Sequence, residues 1–167
     1  MFRRRSFLKS SSLIAGGLIL PKLSFKSKEN NRKKLKVAVV GCGGRGTGAA
    51  VQALRADNNV ELVTLADAFK DRLEGSLNAI KDEFEGEMEI NIKEKNKFVG
   101  FDAYKKAIDK SDVVILASPP GFRPAHFEYA INKNKHVFME KPVATDAHGV
   151  RQVLNSARKA KEKNLNV

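Results

Sequence analysis

Short apolar runs alternate with amphipathic stretches along the chain from about Leu35 onward. The run "LKVAVV" is nearly continuous in its apolar character, whereas a strand with one face in water alternates apolar and polar residues. This pattern is typical of a parallel strand that helices cover on both faces. The runs of this kind are "LKVAVV", "VELVTLAD", "DVVILAS" and "HVFMEK", at residues 35–40, 60–67, 112–118 and 136–141, and a shorter strand is predicted where "FVGFDAYKKAIDKS" begins at residue 98.

Helical patterns fill the intervals between these runs. Residues 68–84 place apolar side chains at three- and four-residue steps, as one face of a helix requires. Further helices are predicted at residues 45–57, before residue 111 with Asp102 as its cap, at 124–134, and at 146–163 with Asp146 as its cap. Residues 85–97 are charged and lack a clear pattern, so we predict a surface insertion there. Strands that alternate with helices predict an α/β fold, a doubly wound parallel sheet flanked by helices.

The formal net charge of +12 is concentrated at the N-terminus. Residues 1–36 hold eleven Lys and Arg against the single acid Glu29, a net charge of +10, which leaves +2 for the rest of the chain. Domains that bind nucleic acid carry their basic residues on a folded face. The distribution therefore argues against a nucleic-acid partner, and no metal site is predicted.

The chain opens "MFRRRSFLKSSSLIAGG", with Arg4 and Arg5 directly before Ser6 and Phe7. This order resembles the twin-arginine signal, which is read by an export machinery that carries folded proteins. The apolar run that follows is shorter than the ~20 residues of a membrane-spanning helix. We expect residues 1–34 to be a signal peptide and linker, residues 35–167 to be the folded domain, and the protein to be periplasmic or otherwise exported. The alternative is a basic, disordered N-terminus.

A glycine-rich loop follows the first predicted strand. Residues 41–46 read "GCGGRG", which sets Gly41, Gly43 and Gly46 in a G-x-G-x-x-G spacing. After a strand and before a helix, this motif indicates a Rossmann-type dinucleotide site. The first glycine permits a tight turn, the second admits the diphosphate to the backbone, and the third lets the helix pack on the strand. Gly44 and Arg45 are predicted to lie beside the diphosphate at the helix N-terminus.

Asp67 ends the second predicted strand, 21 residues after Gly46. A carboxylate at this place accepts hydrogen bonds from the adenosine ribose, whereas it repels the 2′-phosphate of NADP. The predicted cofactor is therefore NAD, with NADP less favoured. Asp67 has an alternative role as a cap for the helix that follows it. Cys42, inside the loop, is interpreted as a small packing residue rather than a nucleophile.

The second half of the chain carries a more specific likeness. "LADAF", "FDAYKK" and "PGFRPAHFEYAINKNKHVFMEKPVATD", together with "GCGGRG", resemble the Gfo/Idh/MocA family of glucose–fructose oxidoreductase, inositol dehydrogenase and their relatives. The resemblance covers residues 35–167. It implies an oxidoreductase that transfers a hydride between a tightly held NAD and a sugar or polyol. Leaders of the "RRRSFLK" kind also occur in exported members.

The resemblance implies roles for residues at the ends of two strands. Glu140 would contact the nicotinamide-side ribose, Lys141 would sit beside the reacting carbon of the substrate, and Pro142 is associated with an unusual backbone turn that aims Lys141. His126, near the cleft, has an alternative role in capping or packing. The residues that would line the cofactor cleft are Ser118, Pro119, Pro120 and His126.

Lys141 is the predicted catalytic residue. A hydride leaves a carbinol carbon when the hydroxyl proton is taken as the carbonyl forms, and an ammonium stabilises the developing charge. A lysine withdrawn from water at the end of a strand is suited to share that proton. The alternative is a surface lysine paired with Glu140.

Members of this family carry a second domain, an open antiparallel sheet that supplies an aspartate and a histidine, and nothing in the 167 residues resembles it. We therefore expect a cofactor-binding half-enzyme whose active site is incomplete, with a sheet edge open to further pairing. Any homo-oligomer would form through that other domain. Two further functions stay open, which are NAD-dependent cleavage of glycosides and a non-catalytic nucleotide-binding fragment.

Overall fold

The computed structural model describes residues 33–167, so all but the last two residues of the predicted leader and linker lie outside the described residues. No helix in the described range is long and apolar enough to cross a membrane. The strands are β1 (Leu35–Val40), β2 (Val60–Asp67), β3 (Lys97–Val99), β4 (Val113–Leu116) and β5 (His136–Met139). The α-helices are α1 (Gly44–Ala56), α2 (Lys70–Glu83), α3 (Ala103–Asp109), α4 (Arg123–Asn132) and α5 (Ala147–Glu162).

The described strands form one parallel sheet in the order β3-β2-β1-β4-β5. This confirms the predicted doubly wound α/β fold. The chain runs outward from β1 to β3 and then returns to the other side of β1 with β4. A crevice opens at such a reversal, outside the carboxyl ends of the two central strands, and ligands of this fold class bind there.

Two hydrophobic cores explain why β1 lacks alternation. Val37 and Val39 pack with α1 and α2 on one face of the sheet, whereas Ala38 and Val40 pack with α3, α4 and α5 on the other. All four residues of β1 from 37 to 40 are buried. A strand covered by helices on both faces needs apolar side chains at every position, which is the pattern that predicted it.

Two predictions about the connecting segments need correction. Residues 85–97 are not only a surface insertion, because Ile90 and Ile92 are buried in the core beneath α1 and α2, and a short 3₁₀ turn at Glu94–Asn96 leads into β3. Asp102 does stand directly before α3, but its side chain makes no capping hydrogen bond. Its carboxylate pairs instead with Lys105 at 2.7 Å.

The predicted cap of α5 is confirmed and generates a test. The Asp146 carboxylate accepts a hydrogen bond from the backbone N–H of Gly149 at 2.7 Å. We expect Asp146→Ala to lower the free energy of unfolding by about 1 kcal/mol, because one helix N–H loses its partner. Urea unfolding of the two proteins measures the difference. Asp102→Ala is the matched control and should stay near the wild-type value, whereas an equal loss in both variants would contradict the assignment.

Candidate functional site

The glycine loop between β1 and α1 is held in place by backbone contacts. Gly41 has a φ of +95°, and a Cβ added to it would lie 2.3 Å from the backbone nitrogen of Ser118. A Cβ on Gly46 would lie 1.9 Å from the carbonyl oxygen of Gly41. Side chains at these two positions are excluded by sterics, so the loop passes directly against the end of β4 and α1 packs directly on the loop.

The middle of the loop faces open space. A Cβ on Gly43 or on Gly44 would meet no atom within 4 Å. Gly43 stands directly before α1, and Thr47 donates its backbone N–H to the Gly43 carbonyl at 3.0 Å as the first turn closes. The N–H groups at the start of a helix have no partner within the helix, and the helix dipole makes this end positive. The loop is therefore shaped to receive a diphosphate against bare backbone.

Asp67 reaches from the end of β2 to this loop. One carboxylate oxygen accepts a hydrogen bond from the Cys42 backbone N–H at 2.7 Å, and the other accepts one from the Phe69 N–H at 2.9 Å. The second bond closes the turn before α2, but it does not make Asp67 the cap of that helix, because the N-cap residue is Phe69 and no side chain caps the helix. The alternative role of Asp67 as a helix cap is therefore not seen. Asp67 also lines the neighbouring cavity.

A cavity of about 370 Å³ lies beside Asp67, between the ends of β2 and β4. Its walls are mainly apolar and aromatic, as in most small-molecule sites. At its rim the Phe101 and Phe122 rings lie 6.0 Å apart, and Phe101 is 69% exposed. Exposed aromatic rings offer stacking faces to a planar base. The cavity therefore suits an adenosine whose ribose lies at Asp67.

His126, in the wall of this cavity, forms a neutral hydrogen-bonded pair with Ser118. The Ser118 hydroxyl and the His126 Nδ1 are 3.0 Å apart, and both residues are buried. The His126 ring stacks on Tyr104 with the ring centroids 4.0 Å apart. Burial lowers the pKa of His126 to about 4, so the imidazole is uncharged at neutral pH. Pro119 and His126 line the cavity, whereas Ser118 and Pro120 are not among its lining residues.

An ion pair joins the glycine loop to the end of β5. The Arg45 guanidinium, in the first turn of α1, donates to the carboxylate of Glu140. The Arg45 side chain is 74% exposed, but that of Glu140 is only 7% exposed. The hydrogen bond from Arg45 holds the pKa of Glu140 below its ordinary value. In this structure Arg45 thus contacts Glu140, so the two residues predicted to serve different parts of a dinucleotide face each other.

Lys141 follows Glu140 and is exposed, so residues 33–167 do not supply the burial expected around its ammonium. The alternative pairing with Glu140 is not seen either, because that carboxylate pairs with Arg45. The Lys141–Pro142 peptide bond is cis. Lys141 is therefore exposed at the end of β5, without an ion pair to any described residue.

Sequence reasoning missed Arg123, the first residue of α4. It is only 6% exposed, and its Nη1 donates to the carbonyl oxygen of Glu140 at 2.8 Å and to that of Pro142. Arginine side chains are seldom buried without a specific set of acceptors. An arginine that directly precedes a proline at a helix start was the only available signal, and it does not identify the acceptors.

Cys42 and the other histidines lie apart from the predicted chemistry. Cys42 is buried, and burial together with the charge of Asp67 raises the pKa of its thiol to about 12, which agrees with a packing role. His148 is exposed on α5. Within residues 33–167, no three His, Cys, Asp or Glu side chains come together as a metal site.

Comparison with known proteins places this geometry in a family. Residues 35–167 match the Gfo/Idh/MocA profile, described as an oxidoreductase family with an NAD-binding Rossmann fold. A glycosyl hydrolase family 109 protein of Shewanella pealeana is 25% identical, in an alignment that covers 95% of this chain and 38% of that protein. The alignment therefore extends before Leu35.

Solved structures with the same fold include two inositol dehydrogenases. Myo-inositol 2-dehydrogenase of Lactobacillus plantarum is 26% identical, with a TM-score of 0.57, over 75% of this chain and 33% of that one. Scyllo-inositol dehydrogenase of Lactobacillus casei, with bound NAD(H) and scyllo-inositol, is 22% identical, with a TM-score of 0.60, over 80% of this chain and 35% of that one. The chain thus spans 33–38% of the length of these three relatives.

Burial of His126 predicts a pH dependence of stability. Between pH 6.5 and about 4 the unfolded chain binds a proton at this residue and the folded chain does not. Stability should therefore fall as the pH drops through this window, by about 1.4 kcal/mol for each pH unit from this residue alone. Urea unfolding at several pH values should give a shallower slope for His126→Gln. His148→Gln, on the surface of α5, is the control, and equal slopes in all three proteins would refute the assignment.

Proposed function

The chain belongs to the Gfo/Idh/MocA oxidoreductase family with its NAD-binding Rossmann fold, and we propose that it is the cofactor-binding half of an oxidoreductase that acts on a sugar or polyol. The observation that carries this proposal is the open space at Gly43, between two glycines that close packing requires, beside a cavity edged by Asp67. A side chain at Gly43 would fill the place of a ligand. The residues present therefore fit a dinucleotide.

Each part of NAD has residues suited to it. The diphosphate fits the N-terminus of α1 over Gly43 and Gly44, and the adenosine fits the cavity with its ribose at Asp67. The second nucleoside then lies over β4 and β5, near Ser118 and Glu140. A carboxylate there is an acceptor for ribose hydroxyls.

The proposed chemistry is proton transfer beside a carbon that gives up a hydride. Bound NAD supplies the hydride acceptor. Lys141 takes and holds the proton of the substrate hydroxyl, and its ammonium stabilises the charge that develops on the oxygen. Sugars and polyols are the proposed substrate class, and the inositol dehydrogenases among the structural relatives support it.

A second candidate reaction is the NAD-dependent cleavage of glycosides. The similarity to a glycosyl hydrolase family 109 protein favours it. Product analysis on a glycoside, with the enzyme completed by its substrate domain, distinguishes the two reactions: free sugar indicates cleavage, and a ketosugar indicates simple oxidation. A chain that binds no nicotinamide cofactor would leave the non-catalytic fragment as the remaining candidate.

The glycine loop provides the test of cofactor binding, with a matched control in helix α1, which follows the loop. We expect the purified chain to bind NAD in calorimetry and Gly43→Ala to weaken binding at least about tenfold, because the methyl group occupies the space of the diphosphate. The variant should lose at most about 1 kcal/mol of stability, because its Cβ meets no protein atom within 4 Å.

Gly48→Ala is the control, since its Cβ also meets nothing within 4 Å but lies farther along α1. It should keep the wild-type affinity for NAD. Equal affinity in Gly43→Ala, or no NAD binding by the wild-type chain, would overturn the proposed function.

Asp67 provides a test of cofactor choice. Asp67→Asn keeps an acceptor for the loop but removes the charge, so NAD should bind about tenfold or more weakly, since hydrogen bonds to charged groups contribute about 1.5–3 kcal/mol. The ratio of NADP to NAD affinity should rise, because repulsion of the 2′-phosphate is removed. Asp71→Asn, in the first turn of α2, should leave both dissociation constants unchanged. An unchanged ratio in Asp67→Asn would reject the ribose role.

Export in the folded state also belongs to the proposal. The support is the order of Arg4, Arg5, Phe7 and Leu8 at the start of the sequence. A protein that carries its NAD out of the cytoplasm needs a dissociation constant of about 0.1 nM to hold the cofactor for hours. Such a site has to be finished before export, which is what a route for folded proteins permits.

A reporter fused after the leader tests this route. Arg4→Lys together with Arg5→Lys should abolish export of a reporter that is active only outside the cytoplasm, because the signal depends on the arginine pair rather than on positive charge. Lys33→Arg together with Lys34→Arg is the control and should export normally. Normal export of the Arg4 and Arg5 double variant would exclude the twin-arginine route.

A further inference from the structure

Arg123 is a buried cation that makes no ion pair with any residue of the described range. The charge of Glu140 acts on Arg123, but the Glu140 carboxylate is hydrogen-bonded to Arg45 instead. The Arg123 Nη1 donates to two backbone carbonyls, and its Nε has no hydrogen-bond partner in the described range. Burying a charge in this way is costly. An apolar side chain would fill the same space at less cost, so a gain elsewhere is required.

The two carbonyls that accept from Arg123 lie on either side of Lys141. The last hydrogen bond of the β4–β5 ladder runs from the Glu140 N–H to the Leu116 carbonyl at 3.0 Å. Beyond it the chain leaves the sheet, and no strand fixes its path. Because one guanidinium nitrogen donates to the carbonyls of residues 140 and 142, it sets the course of the backbone through residue 141.

The same segment is supported from its other side by α5. A Cβ on Gly149 would lie 3.0 Å from both the Pro124 Cγ and the Ala144 Cβ. The first turn of α5 therefore packs closely against the start of α4 and against the chain that follows Pro142. Residues 140–144 thus contact the first turns of both α4 and α5, and Arg123 makes the hydrogen bonds from α4.

Residues 140–144 lie on the β5 side of the crevice, opposite the adenosine cavity. That cavity is bounded by residues after β2, β3 and β4, whereas Glu140 and Lys141 follow β5. The glycine loop stands between the two regions, because β1 lies between β2 and β4 in the sheet. A dinucleotide whose diphosphate lies at the loop reaches both halves.

We propose that Arg123 is a positioning residue for Glu140 and Lys141. By holding the carbonyls on both sides of Lys141, it sets where the Glu140 carboxylate and the Lys141 ammonium stand against the nicotinamide half of the cofactor. It touches neither cofactor nor substrate. This inference rests on the proposed function, since it assumes that NAD binds in the crevice.

Two ligands separate positioning from general support of the fold. ADP shares the adenosine and both phosphates of NAD but lacks the second nucleoside. In Arg123→Met, an unbranched apolar variant without donors, we expect the dissociation constant for NAD to rise about tenfold, the effect of losing one well-placed charged hydrogen bond. The constant for ADP should stay unchanged. Arg123→Lys keeps the charge and the donors on a shorter side chain and should show a smaller rise for NAD.

A control variant, a check of folding and a double variant complete the experiment on the purified chain. Arg158→Met, on the exposed surface of α5, is the control and should change neither constant. Thermal unfolding and circular dichroism establish which variants are folded. In a Glu140→Ala background, Arg123→Met should weaken NAD binding little further, because Arg123 acts through the residue already removed.

The ratio of the NAD and ADP constants decides the outcome. An unchanged ratio in every folded Arg123 variant, whether both constants rise together or neither rises, would overturn the inference. A full additive loss in the Glu140→Ala background would also overturn it. If Arg123→Met does not fold, the ratio in Arg123→Lys decides. Failure of the wild-type chain to bind NAD would overturn the proposed function instead, so the two failures are distinct.

Discussion

Contact between bare backbones at the end of β4 is the constraint on which this site depends. Gly41 lies so close to Ser118 that no Cβ fits, and a Cβ on Gly46 would lie even closer to the Gly41 carbonyl oxygen. Because the strand, the loop and the helix meet without side chains between them, the N-terminus of α1 points directly into the crevice. Asp67 then joins the loop to β2 through a hydrogen bond, and Arg45 joins the helix to β5 through an ion pair, so both sides of the site are connected to this contact.

The two halves of the crevice differ in their chemistry. On the β2 side, an apolar and aromatic cavity with an uncharged His126 suits a base that binds through stacking and burial. On the β5 side, Arg45, Glu140 and Arg123 bring three charged groups into a small volume. The β2 side is suited to binding the base of the cofactor tightly, and the β5 side is suited to orienting the other end of the cofactor. This division is what a domain that holds one end of a cofactor and presents the other requires.

The sequence pattern could predict the parts of the structure that depend on residues close together in the chain, such as strands and the glycine loop. All five strands were predictable from short apolar runs between helical patterns, most clearly β1, whose residues 37–40 are all buried. The glycine loop was predictable because each glycine answers a separate steric demand. Ile90 and Ile92 were missed because two apolar residues in a charged stretch form no periodic pattern. Only 17 residues separate Arg123 from Glu140, and 95 separate Arg45 from Glu140, but neither partner could be identified without the sheet order. Contacts of this kind depend on topology rather than on spacing.

Asp67 serves the fold and the proposed ligand with the same two oxygens. One anchors the loop through Cys42 and the other anchors the turn before α2 through Phe69. A substitution at this position that leaves no oxygen acceptor would therefore disturb the loop as well as the choice between NAD and NADP. A lineage that replaced Asp67 with such a residue would first have to acquire another contact that holds the loop, so this position constrains the order in which such substitutions can accumulate.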